Sequence, residues 1–291
     1  MSEPSSHQAE PVCPRHPDRV SYVRCQRCGR PTCPQCQKQA AVGIQCVDCV
    51  REGQKSIRVA RTQFGAKVTA GGRPVVTLTI IGICAVVWLI QKASPTFSDA
   101  LLFFAPAARS QPWRLLTSAF EHEPSDPLHI LFNMYALWIV GQYVEPLLGR
   151  LRFATVYLVS AIGGSVGLLL LVTPSTQPNS SWATPALGAS GAIFGLFLVL
   201  LLVNRHLGRS TVGIGVLILL NFALPLIIPN VAWQAHVGGA ITGAVCGGIL
   251  IATAGPGRRR WQMPAFAFVA VVLVILAVLK LVPLGPQYFV A

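Results

Sequence analysis

Four polar residues, Ser190, His236, His129 and Asn133, stand within long apolar blocks of a 291-residue chain. Together they supply what peptide-bond hydrolysis needs: a nucleophile, a base to take its proton, and donors for the oxyanion. Ser190 can attack, His236 can act as base, and His129 with Asn133 can donate. The last acidic residue of the chain is Glu145. An acid for a full triad would have to come from before that point, so a Ser-His dyad is the simpler arrangement. The competing readings are plain ones. Gly188 to Gly195 would be a small-residue packing face with an incidental serine. His236 would bond a neighbouring helix, and His129 and Asn133 would cap a helix start.

A second constellation points to metal. Seven of the nine cysteines lie between Cys13 and Cys49. They fall in the pattern Cys13-x-x-His16, Cys25-x-x-Cys28, Cys33-x-x-Cys36 and Cys46-x-x-Cys49. Eight ligands suffice for two tetrahedral Zn²⁺ sites, and a two-residue spacing lets one turn present both partners. So short a module has little apolar content, and metal must substitute for a core. An odd number of cysteines argues against a disulfide framework. Both ions would be structural, since every ligand position is filled. No cofactor is expected for catalysis.

These residues need elements to hold them. Apolar residues make up 53% of the chain and charged residues 11%, against about 25% charged in soluble domains. The pattern reads as an all-α polytopic membrane protein preceded by a small zinc-stabilised module. No secretory signal precedes the first apolar block, which is therefore read as a retained helix. Seven helices are expected, at roughly 75–91, 128–148, 153–172, 186–203, 211–228, 231–254 and 263–282, each near the ~20 residues that cross a bilayer. The domains read as a zinc module at 1–54, a basic linker at 55–73, a six-helix core at 74–254, and an Arg-rich loop with a seventh helix at 255–291. Cys84 and Cys246, alone in apolar blocks, read as packing residues.

Charge gives orientation. The chain carries 23 Lys and Arg against 10 Asp and Glu. Much of the excess lies in residues 1–73, and the rest in short loops that contain Arg150, Arg152, Arg205, Arg209 and Arg258 to Arg260. The loop Thr173 to Pro185 and the turn at Pro229 and Asn230 are uncharged. Basic loops face the cytoplasm. The N-terminal module is then cytoplasmic, the C-terminus and the segment 92–127 are outside, and the expected location is the plasma membrane. Nucleic acid is not an expected partner. The apolar content of segment 92–127 suggests that part of it lies in the membrane interface. The second, fourth and sixth helices then enter from outside. Ser190, about four residues in, and His236, about six residues in, would sit at one depth, roughly 6–9 Å below the boundary. Small residues at Gly188, Ala189, Gly191 and Gly195, and at Gly239, Gly243 and Gly247, would let those helices approach closely.

The motifs resemble those of the rhomboid proteases. Gly188-Ala189-Ser190-Gly191 resembles the family's GxSG motif. Ala235-His236 followed by Gly239 and Gly243 resembles its histidine helix, and His129-Ile-Leu-Phe-Asn133 its HxxxN motif. Trp113-Arg114 resembles the WR pair of the first external loop, and Gly141 with Glu145 the GxxxE end of the second helix. The resemblance covers residues 75–254 in order. It implies a six-helix core with a water-filled cavity opening outward. It also implies cleavage of single-span membrane-protein substrates within the lipid bilayer, near the outer ends of their transmembrane segments. Small residues would be preferred at the cut, with helix-destabilising residues after it. His129, Asn133 and the backbone N–H of Ser190 would form the oxyanion site. The seventh helix resembles the variant with one helix added after the core. Phe194 stands where some members carry a tyrosine stacked on the histidine. Glu145 is read as closing a hydrogen-bond network near the cytoplasmic end, and the role of Trp113 and Arg114 as structural. The outer segment Glu121 to Asp126 is more acidic than the resemblance leads one to expect, and no role is assigned to it.

The cysteine module resembles a B-box zinc finger. The interleaved pairing of that family would place Cys13, His16, Cys33 and Cys36 on one metal, and Cys25, Cys28, Cys46 and Cys49 on the other; consecutive pairing is the alternative. A cytoplasmic protein partner, or anionic lipid, would suit its basic surface. Other functions compete. An inactive rhomboid relative that binds membrane clients would typically lack Ser190 or His236. A coupled transporter would carry intramembrane acids, which the third to seventh helices lack. A ubiquitin-type ligase would need the Cys-x-His centre of a RING finger.

Overall fold

The computed structural model describes residues 10–56, 60–68, 72–223 and 231–289. The expected turn at Pro229 and Asn230, and the expected end of the fifth helix, lie outside them. The chain divides into two compact units, Met1–Val59 and Ala60–Ala291.

The first unit is built from two short antiparallel pairs and one helix. Strands β1 (Val12–Cys13) and β2 (His16–Val20) pair, as do β3 (Gln37–Gln39) and β4 (Ile44–Cys46). Helix α1 (Val47–Ser56) follows β4 directly. Its interior is made largely of cysteines, six of which are buried.

The second unit is helical. Its elements are α2 (Val75–Ala93), α3 (Pro95–Leu101), α4 (Arg114–Thr117), α5 (Pro127–Leu148), α6 (Arg150–Leu171), α7 (Ser190–His206), α8 (Val212–Ala223), α9 (Trp233–Ala252) and α10 (Gln262–Leu281). Among the described residues four stretches are long and apolar enough to cross a membrane: α2, α6, α9 and Arg259–Leu281. Helices α7 and α8, at 17 and 12 described residues, are shorter than the expected ~20. This is an integral membrane protein.

Helices α6, α7 and α9 pack against one another, and glycines set the spacing. A Cβ on Gly239 would collide with the carbonyl of Gly191, and one on Gly243 with Gly195. The α7 and α9 backbones therefore touch where Ser190 and His236 sit, which no larger residue permits.

Two expectations about position need correction. The fourth helix begins at Ser190, not at 186. Residues before it are extended, because Ala186 exchanges backbone hydrogen bonds with Phe103 at 2.9 and 2.8 Å. Gly188 then turns the chain with φ of 126°, a region that favours glycine. Ser190 is thus the first helical residue, not the fourth or fifth. The sixth helix begins at Trp233, so His236 stands in its first turn.

The segment between α2 and α5 is folded throughout. Arg114 is buried and its Nη1 donates to Leu102 O at 2.7 Å, while Thr117 Oγ1 donates to Leu101 O at 2.7 Å. Trp113 is half exposed and its Nε1 donates to Ala100 O at 3.2 Å. Part of the stretch read as a linker is folded too. Phe64 is fully buried, in one core cluster with Leu148 and Phe153.

Candidate active site and metal centres

A cavity of about 830 Å³ opens among the N-terminal ends of α5, α7 and α9, walled also by α6 and the segment before α5. Ser190 and His236 both line it, and His236 Nε2 stands 3.0 Å from Ser190 Oγ. The two side chains come from helices that start at the same end of the bundle, so 46 residues of separation vanish. His236 is buried, and its Nδ1 has no hydrogen-bond partner among the described residues. No carboxylate stands behind it there. The ring is held by Phe194, whose face lies 4.3 Å away at 18° from parallel. Phe194 is itself packed against Phe222 at 4.7 Å and Phe197 at 5.9 Å.

His129 and Asn133 share one face of α5. Asp126 caps this helix, accepting from Leu128 N at 3.0 Å, and Pro127 fills the first turn. His129 Nδ1 accepts from Glu123 N at 3.2 Å, which places the proton of the neutral ring on Nε2. Nε2 faces Gly188: a Cβ built there would lie 3.1 Å from it and 3.7 Å from Ser190 Oγ. A single vacant position is thus flanked by a ring N–H and the serine hydroxyl. Asn133 gives one Nδ2 hydrogen to His129 O at 2.8 Å and keeps the other for the cavity it lines. The first turn of α7 adds backbone donors. Its first helical bond runs from Ile193 N to Ala189 O, leaving the N–H of Ser190 without a helical partner.

Behind His129 lies a cluster that sequence reading missed. Glu121 and His122 are fully buried. Glu121 Oε1 accepts from Ser98 Oγ at 3.1 Å and from Gln91 Nε2 at 3.2 Å, and His122 N donates to Gln91 Oε1 at 3.2 Å. The His122 ring packs against that of His129, centroids 5.3 Å apart. Burial pushes the Glu121 carboxyl up to about 7, opposed by the Ser98 hydrogen bond and by Arg114. Burial, then the charge of His129, holds His122 down at about 3. The acidic run at 121–126 was visible in the sequence, but its partner Gln91 sits on another helix. At the far end of the bundle, the Glu145 carboxylate accepts from Val76 N at 3.0 Å and from Thr77 N and Oγ1 at 2.8 Å. It ties the start of α2 to α5.

In the first unit the eight metal-type ligands gather into two tetrads. Cys13, His16, Cys33 and Cys36 form one; Cys25, Cys28, Cys46 and Cys49 form the other. Within each, the ligand atoms lie within 4.8 Å of one another. His16 Nδ1 is 3.3 Å from Cys33 Sγ and 3.4 Å from Cys36 Sγ. The grouping interleaves the pairs. Three thiols with one imidazole in the first tetrad, and four thiols in the second, are donor sets that fit a tetrahedral thiophilic cation.

Comparison with known proteins bears on the second unit. The family profile of the rhomboid domain matches residues 109–253. Rhomboid protease GluP of Bacillus subtilis is 32% identical over 190 residues, which cover 61% of this chain and 35% of GluP. The rhomboid protein YdcA of the same organism is 33% identical over 61% of this chain and 86% of its own length. Rhomboid protease GlpG of Haemophilus influenzae is 28% identical over 59% of this chain and 88% of its own. The chain thus spans about a third of GluP but most of YdcA and GlpG.

Proposed function

The chain belongs to the rhomboid family, and on that premise we propose that it is a serine endopeptidase acting on transmembrane segments near their outer ends. The observation that carries this reading is the 3.0 Å contact between Ser190 Oγ and His236 Nε2 at the mouth of a cavity within the helical bundle.

In this reading His236 Nε2 takes the proton of Ser190 as Oγ attacks the scissile carbonyl. The carbonyl oxygen becomes an oxyanion, which His129 Nε2–H, the free Asn133 N–H and the Ser190 backbone N–H stabilise. His236 then passes its proton to the leaving amine, and an acyl-enzyme remains on Ser190. Water, deprotonated by His236, hydrolyses that ester and restores both residues. No third residue is needed to orient the imidazole, because the Phe194 face fixes its plane. Small residues at the cleaved position suit the glycine-lined wall around Ser190.

The basic ends of the helices, with Arg150, Arg152, Arg205, Arg209 and Arg258 to Arg260, would face the cytoplasm. The cavity would then open outward at the plasma membrane, with the N-terminal unit cytoplasmic. Each tetrad of that unit would hold one structural Zn²⁺, and a cytoplasmic protein would be its partner, met at exposed Tyr22 and Val42.

The test uses proteoliposomes containing a single-span substrate with small residues near its outer end. The wild type should release the outer fragment, and Ser190→Ala should not, while inserting equally well. Equal cleavage by Ser190→Ala would overturn the proposal. Failure of both proteins to cleave, with no labelling of Ser190 by a fluorophosphonate, would favour a client-binding rhomboid instead.

A further inference from the structure

Residues 60–68 fold against the end of the bundle opposite Ser190. Thr62 Oγ1 donates to Leu147 O at 2.7 Å, and Ala66 lies against Gly149, where a Cβ would stand 3.3 Å from its own. Gly65 is buried between them, and three arginine side chains meet around it, Arg61 and Arg152 with their guanidinium groups and Arg259 with the methylene that carries its own. Arg61 Nη1 donates to Gly65 O at 3.0 Å. Arg152 Nη2 and Arg259 Cδ each lie 3.1 Å from the position a Gly65 Cβ would take. The three arginines come from separate parts of the chain: the docked segment, the first turn of α6, and the turn before α10.

Gathering like charges is unfavourable unless an anion joins them. Within Ala60–Ala291 no described ion pair does so: the recorded salt bridges all lie in the first unit. Glu145, the acid at this end of the bundle, is occupied by Val76 and Thr77. Asp99, Glu121, Glu123 and Asp126 belong to the segment at the other end. The donors are only partly used. Arg152 bonds Gln262 Oε1 through Nε and Leu148 O through Nη1. Arg259 bonds Gln63 O and Ala254 O through Nε. That leaves Arg152 Nη2, both Nη atoms of Arg259, and Nε and Nη2 of Arg61 without acceptors among the described residues. Arg152 and Arg259 are half-buried, so their planes are held by the carbonyls and Gln262 and are not free to disperse. Helix α6 starts beside them with no side-chain cap, adding the positive end of its dipole.

We propose that Arg61, Arg152 and Arg259 bind a phosphate group, carried by an anionic phospholipid headgroup or by free phosphate. Phosphate oxygens match forked guanidinium donors better than a carbonyl or water would. A phosphate there bridges the docked segment to α6 and to the turn before α10, and fastens residues 60–68 to the bundle.

Native mass spectrometry of the full-length protein, titrated with phosphatidylglycerol or phosphatidylcholine, tests this. The wild type should retain one phosphatidylglycerol in preference to phosphatidylcholine. The pair Arg61→Gln and Arg259→Gln should weaken it by roughly tenfold per guanidinium removed. The pair Arg205→Gln and Arg209→Gln, exposed at the same end, should leave it unchanged. Inorganic phosphate at matched ionic strength that displaces the lipid, or binds in its place, identifies free phosphate as the source. Because Arg61 and Arg259 also hold carbonyls, Arg61→Lys with Arg259→Lys gives a second measure. It keeps charge and a donor, and should weaken binding without moving the thermal midpoint. The proposal is overturned if neither ligand distinguishes the wild type from both substituted pairs, or if the Arg205 and Arg209 control loses as much.

Discussion

Phe194 lies face to face with His236, ring centroids 4.3 Å apart and 18° from parallel. The phenylalanine stands one turn beyond Ser190 on α7, so the helix that carries the nucleophile also fixes the plane of the base. A stacked aromatic pair contributes about 0.5–1.5 kcal/mol beyond its buried area. Phe194→Ala should therefore lower kcat roughly tenfold, while Phe194→Tyr, which keeps the ring, should retain most activity. Steady-state cleavage in proteoliposomes measures both. Full activity of Phe194→Ala would show that the imidazole is positioned by something else.

The donors proposed for the oxyanion should act on kcat. His129→Phe keeps a ring and removes the N–H; Asn133→Ala removes the amide. Loss of one oxyanion donor costs about 10²–10³ in kcat. Each variant should show that loss with KM little changed. A rise in KM alone would assign them to substrate binding.

Gly239 is placed against the Gly191 carbonyl with no space for a methyl group. Gly239→Ala should push α9 from α7, costing about 1–3 kcal/mol as overpacking does. It should also lengthen the Ser190 to His236 contact. The readouts are a lowered thermal midpoint and slowed fluorophosphonate labelling of Ser190. Wild-type values of both would contradict the packing described.

Glu121 gives a pH dependence whose sign follows from its raised pKa. The folded protein holds the proton up to about pH 7, and the ordinary carboxyl releases it near 4.5. The folded state therefore binds more protons across that window, and its advantage is lost as pH rises through about 7. Glu121→Gln keeps the acceptor for Ser98 and Gln91 without the charge. Its thermal midpoint should gain on that of the wild type as pH rises across the window. Comparing the two proteins at each pH cancels the opposite trend from His122, which stays neutral when folded. A constant difference between them would refute the assignment.

Metal content tests the first unit. Purified protein should carry two zinc ions per chain, one for each tetrad. Cys13→Ser should remove one and Cys25→Ser the other. Chelation should unfold the module, since its interior is largely thiol ligands. The same chelation should leave Ser190 labelling intact in the membrane unit. Zinc-free protein with a folded module would exclude the structural role.

Much of the candidate site is legible in the sequence. Ser190, His236, His129 and Asn133 are polar residues in apolar blocks, and their chemistry is a property of residue type. The two-residue spacings of the cysteine pairs are equally local. The apolar block that runs to Val203 reads as helical from 186, because nothing in its hydrophobicity marks where the helix starts. Only the pairing of Ala186 with Phe103, 83 positions away in sequence, keeps the residues before Ser190 extended. Glu121 and His122 escaped for a similar reason: nothing local announces that Gln91 will bury them.

The sequence by itself determined which groups are available and which stretches enter the membrane, because hydrophobicity and spacing act along the chain. Tertiary structure decided which groups meet. It brought Ser190 to His236 by letting glycine backbones touch. It grouped the cysteine pairs in alternation. It folded residues 60–68 so that Arg61 meets Arg152 and Arg259, far from it in the chain. Those are contacts between distant segments, and their distances depend on how helices and turns pack, which no single stretch of residues encodes.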